Sequence, residues 1–262
     1  MNDDAENSPG AASEQDFEGL RNEYLHAGQM SAMEMVQIYR NFLKEDRRLD
    51  NLRRMADEMP AIERLAKLTG QRGLAGLLFG LEKFLRDCAE RDELPNPSEQ
   101  RTIGQTVDLL GMLFQEARKS LEFDLGKPVV LVVDDEPSAR KTLMYSLEKG
   151  GIHPVVVDGS RKGLDLLREN KFDLLLFDIM MPEMDGYELG EEVRKMRRHK
   201  STPLIYVTAA ADFQNKVKSL SVGASDMIAK PFHMLEIIVK VKTLVLRDQL
   251  RVKVPGGETK EQ

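Results

Sequence analysis

Apolar residues follow two different rhythms along this chain. Between residues 14 and 124 they recur every three or four positions, the spacing of one helical face. Met35, Ile38, Phe42, Leu49, Leu52 and Met55 make one stripe, and Leu74, Leu77, Leu78, Leu81, Phe84 and Leu85 a second. Ile103, Val107, Leu110, Leu113, Phe114 and Leu121 make a third. The spacing predicts a long helix capped by Ser31 and ending near Met59–Pro60, then a short one from Ala61 to Leu68 that stops at Gly70. A further helix from Gly73 to Arg91 is broken by Leu94-Pro95-Asn96-Pro97, and a last one is capped by Ser98. No strand pattern interrupts these stripes, so residues 14–124 read as an all-α bundle with methionines as core filler. Residues 1–13 are small and acidic and read as a disordered tail.

After Gly126-Lys127-Pro128 the rhythm changes. Short continuous apolar runs at 129–133, 154–157, 173–177, 204–207 and 226–229 alternate with helical stretches at 137–149, 160–169, 186–198, 212–222 and 233–248. Strands apolar on both faces belong to a parallel sheet covered by helices, joined by right-handed crossovers. The expected fold is therefore α+β in two domains: the bundle, then an open, doubly wound α/β domain over 127–248, with a flexible tail at 249–262. Helix 233–248 is apolar through Ile237, Ile238, Val241, Leu244, Val245 and Leu246, a face wider than one sheet contact needs. It leaves room for the bundle or for a second copy of the chain, and a homodimer is one expectation.

Polar residues stand where the strands stop. Asp134 and Asp135 follow the first run, Asp178 the third, Thr208 the fourth and Lys230 the fifth. In such sheets ligands bind beyond the carboxyl ends of the strands, so residues scattered through the sequence converge on one rim. Any one of them alone reads as an ordinary solvated loop residue; their common position is what carries meaning. Clustered carboxylates repel unless a cation lies between them, and magnesium takes oxygen ligands from one or two carboxylates together with phosphate oxygens. Asp135 and Asp178 are the candidate Mg²⁺ ligands, with Asp134 holding a metal-bound water and the Met180 backbone carbonyl adding a further oxygen. Asp178 is the candidate nucleophile toward a phosphoryl group. Lys230 is placed to pair with one phosphoryl oxygen and Thr208 to hydrogen-bond another, with the small Ala209 leaving space beside them. A cis bond at Lys230-Pro231 could aim the lysine inward, and Gly186 would supply a positive φ ahead of its helix.

These motifs carry a resemblance. Val-Val-Asp134-Asp135-Glu136, Leu-Leu-Phe-Asp178-Ile-Met-Met-Pro182-Glu-Met-Asp-Gly186, Val-Thr208-Ala-Ala and Lys230-Pro231-Phe232 make residues 127–248 similar to a response-regulator receiver domain. The resemblance implies a flavodoxin-like five-stranded sheet in the order 2-1-3-4-5 and phosphorylation of Asp178. It also implies a histidine kinase or histidine phosphotransfer protein as donor, and sensing of the phosphoryl group by Thr208 and Lys230. Met227 departs from the family, which often carries an inward-turning aromatic residue there. The bundle more faintly resembles a histidine phosphotransfer domain through Ala-Ile-Glu-Arg-Leu-Ala66-Lys-Leu68-Thr69-Gly70. Ala66 stands in place of the phosphorylated histidine and Thr69 in place of a lysine, so this bundle would lack that chemistry.

Composition trims the alternatives. A net charge of −6 over 262 residues argues against general nucleic-acid binding. The basic run Arg194–Lys200 reads as a solvated helix end. A lone Cys88 excludes a disulfide framework and reads as a packed thiol. His26 reads as a loop or helix-end residue, and His153, His199 and His233 as surface residues. The acidic start shows no signal-peptide pattern and no apolar run reaches a membrane span, so a cytoplasmic location is expected. The leading function is a phosphoacceptor, not an enzyme on external substrates, acting through a downstream protein partner. A phosphatase that forms an aspartyl phosphate on a similar core is the alternative, and a flavin-binding domain a third. The phosphatase would place two aspartates two apart after its first strand, and Asp-Asp-Glu after the first strand here would repel a flavin phosphate.

Overall fold

The computed structural model describes residues 14–44, 48–91, 93–116, 125–209 and 225–253. The expected tails at 1–13 and 254–262, the expected helix at 212–222 and Leu121 lie outside the described residues.

Four helices precede the sheet: α1 (Glu14–Phe42), α2 (Arg48–Leu68), α3 (Arg72–Glu90) and α4 (Pro97–Glu116). Their boundaries correct the sequence reading. Ser31 is no cap; it lies inside α1 and its hydroxyl donates to Glu58 Oε2 on α2 at 2.7 Å. His26 likewise lies within α1. Helix α2 runs through Pro60, because its buried Met55, Ala56, Met59, Ile62 and Ala66 hold the turn on both sides of the ring. The cap of α4 is Asn96, whose Oδ1 accepts from Ser98 N (2.9 Å) and Glu99 N (3.0 Å) while Glu99 Oε2 accepts from Asn96 N (2.8 Å). This is a reciprocal capping box with proline at the first helical position, and it leaves the Ser98 hydroxyl for other work. Ala66 is completely buried, so position 66 has no solvent face that a phosphoryl group could reach.

The second half is β1 (Val129–Val133), α5 (Pro137–Lys149), β2 (His153–Val157), α6 (Ser160–Glu169), β3 (Leu174–Asp178), α7 (Gly186–Lys195), β4 (Leu204–Ala209), β5 (Asp226–Lys230) and α8 (Met234–Lys253). The sheet is parallel in the order β2-β1-β3-β4-β5, with Val133 opposite both Val157 and Phe177, Asp178 opposite Val207 and Thr208 opposite Ala229. Strands β3, β4 and β5 each run on to include the polar residue expected just beyond them, and α8 continues past residue 248 to Lys253.

Helix α8 belongs to both halves. In the bundle α3 packs on α2, α2 on α1 and α1 on α4, and α8 packs against both α3 and α4 to close the ring. One continuous core therefore joins Leu81, Phe84 and Leu109 of the bundle to Val239, Val241 and Leu246 of α8 and to Val130, Leu176 and Ile228 under the sheet. The wide apolar face of α8 is taken up by the bundle. A second core on the other sheet face holds Leu131, Phe177, Leu189, Val193, Tyr206 and Met227.

Candidate functional site

The turn after β1 places the first acids. Asp134 is fully buried and its Oδ1 accepts from Glu136 N at 2.8 Å, so the carboxylate folds back over its own turn. Arg140, one turn into α5, donates through Nη1 to the backbone carbonyls of Asp134 (2.8 Å) and Asp135 (2.7 Å) and pins that turn to the helix. Asp178 ends β3 with only 4% of its surface exposed. Gly186 lies directly under it. A Cβ at position 186 would come within 2.2 Å of the Asp178 carbonyl oxygen, so glycine is needed for close approach rather than for a positive φ. Positive φ occurs instead at Glu183 (68°) in the preceding loop. Asp185 caps α7 with Glu188 in a capping box, fixing the far side of that loop.

The structure brings the predicted residues together. Asp134, Asp135 and Asp178 each present a carboxylate oxygen within 4.8 Å of the others. Lys230 Nζ reaches Asp134 Oδ2 at 3.0 Å, Asp178 Oδ1 at 3.1 Å and Glu136 Oε2 at 3.5 Å. The Lys230-Pro231 bond is cis. Thr208 is 1% exposed and its Oγ1 has no hydrogen-bond partner among the described residues. Ala209 beside it is exposed, and so is Met180.

Charge at the site does not balance. Burial and the neighbouring Asp134 charge raise the Asp178 pKa above its ordinary value even though Lys230 pulls it down. Burial works against the charge on Lys230, but Asp134 and Asp178 outweigh it and its pKa ends above the usual lysine value. Glu136 is held low, first by its Ser138 hydroxyl partner and then by Lys230. One ammonium thus serves three carboxylates with Asp135 close by, and a raised aspartate beside a second buried aspartate is the signature of missing positive charge. A hard divalent cation fits this donor set: all-oxygen, anionic and open to solvent on the Asp135 side.

Sequence reasoning overlooked Arg140 and gave Glu136 a place in the motif but no contact with Lys230, although an acidic triplet followed by arginine one helical turn later was there to be read. Two histidines were misplaced. His199 is buried, its Nε2 lying 3.1 Å from Leu167 O and 3.0 Å from Asn170 O and its Nδ1 3.3 Å from Thr202 Oγ1, so it ties the turn after α7 to the end of α6. His233 stacks on Phe84 and approaches Asp87 at 3.3 Å, inside the contact between the two halves. Cys88 is buried, and loss of solvation pushes its thiol up to about 12.

Part of this chain is similar to known proteins. Residues 130–242 match the family model of the response regulator receiver domain. The transcriptional regulatory protein SrrA of Staphylococcus aureus is 37% identical over 120 residues, covering 46% of this chain and 48% of SrrA. The chain thus spans about half the length of the curated relatives it matches. Among solved structures, the receiver domain of the Francisella response regulator 1452 is 33% identical (47% of this chain and 99% of that one, TM-score 0.43). The chemotaxis response regulator CheY4 of Vibrio cholerae is 27% identical (45% and 99%, TM-score 0.43). Among the described residues no helix is long and apolar enough to cross a membrane. From the acidic cluster, the sheet order and the family match together, residues 130–242 of this chain form a response regulator receiver domain, preceded by a helical bundle.

Proposed function

We propose that this protein is a response regulator of a two-component phosphorelay that accepts a phosphoryl group on Asp178 and signals through protein contacts. The observation that carries the reading is a single lysine reaching two of three clustered carboxylates, beside a buried threonine hydroxyl with no described partner. A histidine kinase or histidine phosphotransfer protein is the donor. Asp178 Oδ attacks phosphorus as the P–N bond of the donor's phosphohistidine breaks, and the departing imidazole nitrogen keeps the electron pair and takes up a proton. Bound Mg²⁺ supplies charge neutralisation for the incoming phosphoryl oxygens. Asp135, Asp178 and the Met180 carbonyl would hold the ion, with Asp134 beside it. Lys230 turns from Asp178 to a phosphoryl oxygen as a point charge, and Thr208 donates its hydroxyl proton to another. Water attack on phosphorus later cleaves the acyl phosphate and restores the carboxylate.

The role is stoichiometric rather than that of an enzyme turning over external substrates. Output through a protein partner, without nucleic acid, is supported by the local engagement of the basic run. Arg194 donates to the carbonyls of His199 and Thr202, Lys195 pairs with Glu192, and Arg198 donates to the carbonyl of Glu169. A cytoplasmic location suits a kinase-fed phosphoacceptor. The test is incubation of the intact chain with acetyl phosphate and Mg²⁺. Hydroxylamine-labile phosphate is expected on the wild type and not on Asp178→Asn; label that persists in the variant overturns the assignment.

A further inference from the structure

The two halves meet along a line of polar groups inside an otherwise apolar contact. Arg101 Nε on α4 lies 2.5 Å from Asp226 Oδ1, and Asp226 Oδ2 lies 2.6 Å from Lys240 Nζ. Thr106 and Thr243 share a hydrogen bond of 2.9 Å. At one end of this line sits Ser98, fully buried, whose hydroxyl donates to Glu236 Oε1 on α8 at 2.5 Å and accepts from the Ala229 N–H at 3.3 Å. Thr102 Oγ1 stands 3.1 Å from the same Glu236 oxygen, while Glu236 Oε2 is buried without a hydrogen-bond partner among the described residues.

Ala229 is no ordinary contact point. It lies on β5, the edge strand of the sheet, directly opposite Thr208 and immediately before Lys230. An edge strand has backbone N–H groups with no neighbouring strand to accept them, and each must find water or a side chain. Here the acceptor comes from the bundle. Of the two bonds the Ser98 hydroxyl makes to the receiver, the one to the strand is the longer, so the strand side can change without undoing the link to α8.

We propose that Ser98 is the contact through which the bundle reads the phosphorylation state of the receiver, acting as a positioning residue on the Ala229–Lys230 segment. This rests on Asp178 being the phosphoacceptor. In the arrangement seen here Lys230 divides its ammonium between Asp134 and Asp178. Phosphorylation of an Asp178 oxygen to the acyl phosphate removes one of those anions and offers phosphoryl oxygens further out, so Lys230 must move. Strand β5 is braced on one side by β4 and on the other by α4, and the displacement therefore falls on the Ala229 N–H and its Ser98 partner. Coupling of this kind is reciprocal. Ser98 supports the unphosphorylated arrangement, and its removal must favour the phosphorylated one.

The experiment uses the intact chain and four sequences: wild type, Ser98→Ala, Ser98→Thr and Thr106→Val. Each is labelled with acetyl phosphate and Mg²⁺, and the half-life of the phosphate on Asp178 is followed after the donor is removed. Amide exchange over 96–106 is measured with and without beryllium trifluoride and Mg²⁺, a phosphoryl mimic. The half-life in Ser98→Ala is expected to lengthen about fivefold, within the range of ordinary coupling, and the exchange response of α4 to disappear. Ser98→Thr keeps the hydroxyl and restores both. Thr106→Val loosens the same interface away from β5 and leaves the half-life within about twofold of wild type. Equal half-lives in Ser98→Ala and Thr106→Val, or an α4 that does not respond to the mimic in the wild type, overturn the Ser98 assignment while leaving the phosphoacceptor intact. A wild type that takes no label on Asp178 overturns both.

Discussion

Replacing Lys240 by methionine tests whether the receiver's last helix is held by charge or by packing. Lys240 sits among Ile237, Ile238, Val239 and Val241, and its side chain, like that of Asp226, is completely inaccessible. A lysine is almost never fully buried unless paired. Methionine keeps the length of the stem and removes the ammonium, so little volume is lost. The cost is that of leaving Asp226 a buried anion with one partner instead of two. Breaking a buried pair ordinarily destabilises by about 3–5 kcal/mol; because Arg101 remains on Asp226, about 3 kcal/mol is expected. At about 2–4 °C per kcal/mol for a chain of this size, the melting temperature should fall by about 6–12 °C. The double variant Lys240→Met with Asp226→Asn removes the stranded charge and leaves Arg101, one-third exposed, free to be solvated. It should recover to within about 1 kcal/mol of wild type, about 2 kcal/mol better than Lys240→Met alone. Urea unfolding followed by circular dichroism, with scanning calorimetry on the same samples, measures both. A double variant as unstable as Lys240→Met alone would mean that the loss came from packing, and the electrostatic argument would fail.

Other outcomes follow from the same coordinates. Because burial and Asp134 raise the Asp178 pKa in the folded state, its stabilising contribution is present below the unfolded value of 3.8 and is lost as pH rises through the raised value. At neutral pH the ionised carboxylate is a net burden, so Asp178→Asn should raise the melting temperature of the metal-free protein by about 2–4 °C, corresponding to about 1 kcal/mol. Mg²⁺ should reverse that order. At a hundred times its dissociation constant it stabilises the wild type by about 2.7 kcal/mol, with a much smaller effect on the variant, and calorimetry with and without the ion checks this. Gly186→Ala drives a methyl into the Asp178 carbonyl and should cost both stability, by about 2 kcal/mol, and labelling by acetyl phosphate. A normally labelled, normally stable variant would show that the loop gives way freely. An isolated 127–262 fragment leaves the bundle-facing side of α8 uncovered and should self-associate in sedimentation, whereas the intact chain should not do so through that face.

How much of this was legible beforehand depended on what sort of pattern each residue belongs to. The strands and the rim acids were readable because a parallel sheet makes one face of its carboxyl ends, so Asp134, Asp178, Thr208 and Lys230 announce themselves by position alone. Local helix limits were read less well. Pro60 looked like a stop because the sequence shows the lost N–H but not the buried Met55, Met59 and Ile62 that hold the turn together. Ser98 looked like a cap because serine commonly is one, yet Asn96 two residues earlier takes that task. Asp226 gave a faint signal as an acid opening an apolar strand, and Lys240 another as a cation in an apolar helix. Only the coordinates show that the two are partners and that Arg101, far away in the sequence, is the third. Long-range pairings of single side chains leave no periodicity, and His199 was mistaken for a surface residue for the same reason.

Helix α8, the wall common to bundle and sheet, makes this protein a poor donor for cut-and-paste engineering. A chimaera that joins the bundle to a foreign receiver would need the guest's last helix to reproduce the fit against α3 and α4 and the carboxylate and hydroxyl matches to Ser98 and Thr106, and its last strand to supply the acid that meets Arg101. Transplants that carry α8 with the bundle, rather than splitting the chain at Gly126, should be the ones that fold.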